Sequence, residues 1–257
     1  MSHFTDPAVY ERISTVQAEW GRVVVEDVVG LWGARPVDVL ADLGCGSGRV
    51  TEMAVRALHP RRVICQDVVA SMASATAARV RALGCEATES VGDAASFTTE
   101  TPCDIIFSTA ALHWVLDHDG VAQAIHNALA PGGLLRAQCG GAGNLRRASA
   151  VSQRIYREVV GKDPPPYPAR FAGAEEWTAR LTSLGMKRVD CRLRDAPAVF
   201  PTPERFEEFV RNVVLTPWLR AVPEGLQEEF MRRVVEAAVR ELELTLDYVR
   251  LELTAWK

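Results

Sequence analysis

Residues 42–48, Asp-Leu-Gly-Cys-Gly-Ser-Gly, place a carboxylate and three glycines directly after an apolar run. Glycine loses more conformational freedom on folding than any other residue. Three of them in five positions therefore call for a backbone that side chains forbid, or for a ligand that lies against the main chain. A strand, a glycine turn and a helix together gather backbone N–H groups at a helix N-terminus, which suits a nucleotide-like ligand. Two familiar versions of such a turn do not fit. The phosphate loop G-x-x-x-x-G-K-[ST] lacks its lysine and hydroxyl, and the dinucleotide pattern G-x-G-x-x-G would need a third glycine where Arg49 stands. Further along lie an acid at Asp67, a second at Asp93, and the pair His113-Trp114, with Gln17 upstream.

These side chains need elements to hold them. The first half alternates short β-branched runs with helical patterns, the signature of a parallel sheet with crossover helices. Strands are predicted at Val37–Asp42, Arg62–Gln66, Glu86–Val91, Cys103–Ser108 and Leu134–Cys139, and helices at Arg49–Leu58, Ser71–Leu83 and Val121–Leu129. The chemistry-bearing residues then fall at strand ends. In the second half, helices are predicted at Ser149–Val160 and Glu175–Leu184, with a strand at Lys187–Arg194. "KDPPPYPAR" is too rich in proline for regular structure. "TPERFEEFVRNVV" and "EGLQEEFMRRVVEAAV" are amphipathic helices. Phe206, Phe209, Val210 and Val213 share one face of the first, and Leu226, Phe230, Val234 and Ala238 one face of the second. The chain ends in an alternating strand, "YVRLELTAW".

Asp42-Leu43-Gly44-Cys45-Gly46-Ser47-Gly48 resembles the first motif of class I S-adenosylmethionine-dependent methyltransferases, and three further elements follow in that family's order. Asp67 ends the second strand, "VGDAASF" follows the third, and "DIIFSTAALHW" is the fourth-strand segment. The resemblance implies that S-adenosyl-L-methionine is held by Asp42, Gly44, Cys45, Gly46, Asp67, Val68, Asp93, Ala94 and Thr109. Asp67 would take both ribose hydroxyls, since a carboxylate offers acceptors suited to a diol. Asp93 would meet the adenine amino group. The implied fold is α/β, a Rossmann-like doubly wound sheet of seven strands with an antiparallel seventh strand, Tyr248–Trp256, between strands five and six. One domain over 1–257 is implied, with a cofactor-binding half at 1–141. The acceptor-side half at 142–257 would carry a helical cap around 142–180 and 200–245. Val69, Thr109 and Gln66 depart from residues frequent in the family, and none of them removes a charge that the cofactor needs.

"YERISTVQAEWG", "SMASAT", "ALHWVLDHDGV", "LAPGG" and "VVLTPWLRAVPEGLQEEFMRRV" extend the likeness to the trans-aconitate methyltransferase-like group over nearly the whole chain. Similar carboxyl methyltransferases use an N-terminal glutamine and a tryptophan to hold the acceptor carboxylate. Gln17 and Trp114 match them, and an amide and an indole N–H donate without carrying charge. A carboxylate is already ionised, so its methylation needs positioning more than a base. Methylation of a phenol, carbon or nitrogen acceptor would instead give His113 a role as general base, because histidine titrates near working pH. His118 and His126 are expected at the surface.

Hydrophobic content of 48% and charged content of 24% are those of an ordinary globular protein, so a sizeable core needs no staples. A net charge of −4 gives no attraction for nucleic acid or anionic membrane, and Arg146-Arg147 and Arg232-Arg233 read as solvated helix faces. Six cysteines without C-x-x-C spacing, and no apparent signal peptide, imply free thiols in a cytoplasmic protein. The expected partner is a small-molecule acceptor. The alternative classes are an oxidoreductase, against which the missing third glycine argues, a non-catalytic cofactor-binding scaffold, and a nucleic-acid methyltransferase, against which the lack of a basic stripe and of an N-P-P-Y-type motif after strand four argues.

Overall fold

The computed structural model describes residues 15–257; the first part of the segment 10–21 and the start of the chain lie outside the described residues. Two compact units account for the chain. One comprises residues up to 142 with 170–194 and 250–257, the other 143–169 with 195–249.

The first unit is built on a seven-stranded sheet. Its strands are β1 (Val39–Leu43), β2 (Arg62–Asp67), β3 (Glu86–Val91), β4 (Cys103–Thr109), β5 (Leu129–Gly140), β6 (Lys187–Asp195) and a late strand, Val249–Trp256, in the order β3-β2-β1-β4-β5, late strand, β6. β1 pairs in parallel with β2 and β4, β2 with β3, and β4 with β5. The late strand runs antiparallel to β5, from Leu134↔Trp256 to Gly140↔Arg250. This is the seven-stranded arrangement implied by the sequence resemblance.

β1 is buried along its whole length, as a strand covered on both faces must be, whereas the edge strand β3 is mostly exposed and correspondingly poor in apolar residues. On one face pack α1 (Thr15–Trp32), α2 (Arg49–Leu58) and α3 (Ala70–Ala82), burying Val24, Val28, Ala54, Val55, Ala77 and Val80 against Leu40, Val63, Ile105 and Phe107. On the other, α4 (His118–Ala128) and α6 (Ala174–Ser183) bury Val121, Ile125, Trp177 and Leu181 against Ala41, Ile106 and Leu135. α1 has no counterpart among the elements predicted from sequence.

The second unit is helical. α5 (Arg146–Val160), α7 (Pro203–Phe209), α8 (Thr216–Leu219) and α9 (Gln227–Ala237) are joined by a small antiparallel pair, β7 (Ala198–Val199) and β8 (Thr245–Leu246), which makes the late strand β9. Phe206, Phe209, Val210 and Val213 are buried as predicted, with Phe230, Val234 and Ala238; Leu226 is half-buried. The predicted helices over 202–214 and 224–239 both end differently from an α-helix, in π turns at Val210–Val214 and Ala238–Leu242. The proline-rich loop is irregular, and it is tied down by Trp218 Nε1 donating to Pro165 O at 2.9 Å and Tyr167 Oη to Val214 O at 2.9 Å. All six cysteines are free. Among the described residues, no helix is long and apolar enough to cross a membrane.

Candidate active site

β1 delivers the chain into the glycine turn, where Gly44, Gly46 and Gly48 all take positive φ (77°, 55° and 81°). That conformation alone favours glycine. A Cβ on Gly44 would also overlap Ala111, and one on Gly48 would stand 2.8 Å from Thr76 Oγ1 and 2.9 Å from Thr76 Cα. At these two positions the close approach comes from the protein's own neighbours, not only from a ligand. The turn is held by main-chain and side-chain bonds to the end of β2. Gly44 N and Cys45 N both donate to Gln66 O at 2.9 Å, and Gly46 N donates to Asp67 Oδ2 at 2.9 Å. Thr76 Oγ1 donates to Gly46 O at 2.8 Å. Gly48 is the N-cap of α2 and, having no side chain, supplies no cap to the first-turn amides, which a helix start otherwise offers to a ligand.

Around the turn stand the acids. Asp42 is 1% exposed; its Oδ2 accepts from Thr51 Oγ1 at 2.6 Å, and Oδ1 has no hydrogen-bond partner among the described residues. Burial pushes its carboxyl up to about 7. Asp67 is buried at the end of β2, with Oδ1 accepting from Val69 N at 2.9 Å. Burial raises its carboxyl too, against the lowering effect of these backbone bonds. The next residue, Val68, is 56% exposed, an apolar side chain standing in water beside the carboxylate.

Gly92 N donates to Asp67 O at 3.1 Å, which brings the end of β3 against the end of β2. Asp93 is exposed there, capping the 3₁₀ turn Ala94–Ser96 through Oδ1 from Ala95 N at 2.8 Å, while Ala94 is buried. Thr109 ends β4, and Ala110 follows at a φ of 55°, its N–H donating to Gln138 O at 2.8 Å. The strand order thus gathers Asp42, Gly44, Cys45, Gly46, Asp67, Val68, Asp93, Ala94 and Thr109 at the carboxyl ends of four adjacent parallel strands. That edge is where open α/β sheets bind ligands. An uncapped helix start, an unpartnered buried acceptor and a strand-end carboxylate fit a ligand carrying donors and a diol.

Three residues were assigned to the acceptor side. His113 is 8% exposed in the turn Leu112–Trp114, its Nδ1 accepting from Gly140 N at 3.4 Å, its ring tilted against Trp114 (5.0 Å) and stacked on Phe171 (5.7 Å). Burial first, then the nearby Arg250 charge, drives its pKa down to about 3. Its main-chain oxygen accepts from Arg170 N at 2.8 Å. Trp114 is half-buried.

Gln17 lies in the first turns of α1, and its Oε1 is buried without a partner among the described residues. The direction of α1 places it. Trp32 stacks on Trp256, opposite Leu134 in the middle of β5, while the guanidinium of Arg250, the residue opposite Gly140 at the end of β5, lies 4.2 Å from the Trp20 ring. One turn after Gln17, Gly21 packs on Val50 of α2 so closely that a Cβ would overlap it. α1 therefore carries Gln17 toward the edge that bears the glycine turn and His113.

His118 corrects the sequence reading. It is fully buried at the start of α4 rather than at the surface, its ring 5.2 Å from Trp177. His126 is half-buried. The reason is the packing of α6 over α4, a contact between segments far apart in sequence. Gln66 departs from the residue frequent in the family, and its side chain bonds both to the glycine turn and to the end of β3.

A family model for a methyltransferase domain matches residues 40–133. The chain is 31% identical over 218 residues to a trans-aconitate 2-methyltransferase of Methylobacterium nodulans, covering 81% of this chain and 79% of the relative. Among solved structures, the YcgJ protein of Bacillus subtilis is similar at a TM-score of 0.63 and 14% identity, covering 91% of this chain and 98% of that one. A methyltransferase of Geobacter sulfurreducens bound to S-adenosylhomocysteine is similar at a TM-score of 0.55 and 17% identity, over 99% and 93% of the two chains.

Proposed function

The chain belongs to the class I S-adenosylmethionine-dependent methyltransferases, and from that premise we propose that it esterifies a carboxylate of a small acid. One observation carries this reading: the histidine beside the site is unsuited to take a proton. His113 is buried, its Nδ1 faces a backbone N–H, and its pKa is driven down to about 3. A phenol, a carbon acid or an ammonium acceptor must lose a proton to react, which calls for a base that titrates near working pH. A carboxylic acid, with a pKa near 4, has already lost its proton. The relatives' trans-aconitate is itself such an acid.

S-adenosylmethionine, when bound, would supply a methyl group carried on a positively charged sulfur, which keeps the electrons of the C–S bond as the methyl leaves. The chain's part is positioning. Asp67, Val68, Asp93 and Ala94 are assigned to the nucleoside end, and Asp42, the glycine turn and Thr109 to the amino-acid end. Gln17 and the Trp114 indole N–H are assigned to the acceptor carboxylate. His113 packs beneath Trp114 as a neutral ring. Acceptor selection is assigned to residues 142–257 with their helices around 142–180 and 200–245.

The test is a screen of small carboxylic acids, trans-aconitate first, beside phenols and amines, with isotopically labelled S-adenosylmethionine read by mass spectrometry. A labelled methyl ester is expected. Label on phenols or amines and on no carboxylate would overturn the reading.

A further inference from the structure

Gln66 is the penultimate residue of β2, just before Asp67, and is 2% exposed. A buried primary amide has an acceptor at one tip and donors at the other, and leaving either unmet is costly. Here both are met, by the main chain of two different loops. Oε1 accepts from Gly44 N at 3.1 Å, and Nε2 donates to Gly92 O at 2.5 Å. The amide's orientation follows from these partners, since an N–H requires the oxygen and a carbonyl requires the nitrogen.

The bonds span 22 and 26 residues of sequence. One ends on the first glycine of the turn before α2. The other ends on the residue before Asp93. Gly44 takes a positive φ, and its N–H is shared between the Gln66 main-chain and side-chain oxygens, so the side chain adds a second restraint to a strained position. Gly92 has open space around its Cα, and its N–H reaches Asp67 O at 3.1 Å. Without Nε2, its carbonyl loses the side-chain contact that fixes the plane of the peptide leading into Asp93.

We infer that Gln66 is a positioning residue for the cofactor: its amide bolts the glycine turn to the Gly92–Asp93 corner, so that the two ends of the cofactor site are held at a fixed separation before ligand binds. Binding to a site that is already ordered loses less to ordering entropy. No other neutral side chain of this reach offers an acceptor and a donor on one planar fork. Methionine fills the same space and makes neither bond. Glutamate keeps the bond to Gly44 but turns an oxygen toward the Gly92 carbonyl.

The experiment compares wild type, Gln66→Met and Gln66→Glu by two measurements on the free protein. One is calorimetric titration with S-adenosylhomocysteine, well below the melting temperature; the other is the melting temperature without ligand. Gln66→Met is expected to weaken S-adenosylhomocysteine at least about tenfold, the equivalent of about 1.4 kcal/mol. Amide exchange at Gly44 should quicken in the same variant. A bond that serves stability alone would lower the melting temperature and leave affinity within about twofold, and that result overturns the inference. If Gln66→Met does not fold, Gln66→Glu decides: its Gly44 bond persists while the Gly92 bond is lost, so wild-type affinity in that variant would show that the bridge does nothing for the cofactor.

Discussion

At the scale of single residues, the proposed acceptor end rests on groups that donate hydrogen bonds without exchanging protons. Trp114→Phe keeps an aromatic ring beside His113 and removes the indole N–H. A hydrogen bond to a charged group contributes about 1.5–3 kcal/mol. The variant should lose about ten- to a hundredfold in kcat/KM for a carboxylic acceptor, with S-adenosylhomocysteine affinity within about twofold of wild type. Steady-state kinetics beside calorimetry separates the two, and equal losses in both would remove Trp114 from acceptor binding.

His113 gives a pH signature. Its folded pKa near 3 lies below its ordinary value near 6.5, so protonation is disfavoured in the folded state. The stability it contributes is complete above about pH 6.5 and drains away as pH falls toward 3. Asp42 works the other way: its carboxyl is raised to about 7, and its contribution is lost as pH rises from 4 to 7. The wild-type curve alone mixes the two effects, but a difference between variants does not. Relative to wild type, His113→Asn should gain up to about 2–3 kcal/mol in unfolding free energy between pH 6.5 and 4.5, whatever constant offset the lost ring imposes. Parallel denaturation curves at the two pH values would contradict a neutral His113. Asp42 was legible in sequence because it closes an apolar run just before the glycines, whereas Asp67 and Asp93 stood out by their order in the family pattern. The burial of His118 and the bridge made by Gln66 were not, since both depend on partners more than twenty residues away.

At the scale of elements, the bounds of α2 and β3 match prediction because a glycine turn fixes one start and Gly84 and Gly92 bracket the other. α1 escaped notice because its valines at 23, 24, 25, 28 and 29 crowd together without a clean helical stripe, and only its partners in the fold decide which are buried. The two π turns also lie beyond a reading based on a period of 3.6. The glycine turn itself allows a sharp test. Gly44→Val adds a branched side chain to a positive φ and drives it into Ala111. The conformational cost alone is about 1–3 kcal/mol, and the overlap must add to it. Gly30, in the last turn of α1 with nothing near its Cα, is the control, where alanine should stabilise by up to about 1 kcal/mol. Thermal melts should fall steeply for the first variant and rise slightly for the second. A Gly44→Val protein that melts normally and binds S-adenosylhomocysteine would show that the turn is not built as described.

At the scale of the molecule, the order of the sheet came from the family resemblance, not from periodicity, because alternation in "YVRLELTAW" says only that a strand is present. Its place between β5 and β6 has a physical consequence. β9 closes the sheet with chain that follows the whole helical unit, so every residue assigned to the cofactor precedes it by more than a hundred positions. Leu251, Leu253 and Ala255 are fully buried on one face. On the other, Glu252 lies 3.5 Å from the buried Arg136, which also pairs with Asp27 of α1 at 2.6 Å, joining β5, β9 and α1. Losing a buried leucine typically costs about 2–5 kcal/mol, and two of them, together with the strand ladder to β5 and the Glu252 contact of Arg136, are comparable to the about 5–15 kcal/mol that holds a protein folded. A chain ending at Asp247 keeps Asp42, Asp67, Asp93 and His113. It should nonetheless show no cooperative thermal transition and no detectable S-adenosylhomocysteine binding. Restoring residues 248–257 as a separate peptide should recover part of both. Were the shortened chain to bind the cofactor as the full one does, the parallel strands alone would hold the site, and β9 would be dispensable to it.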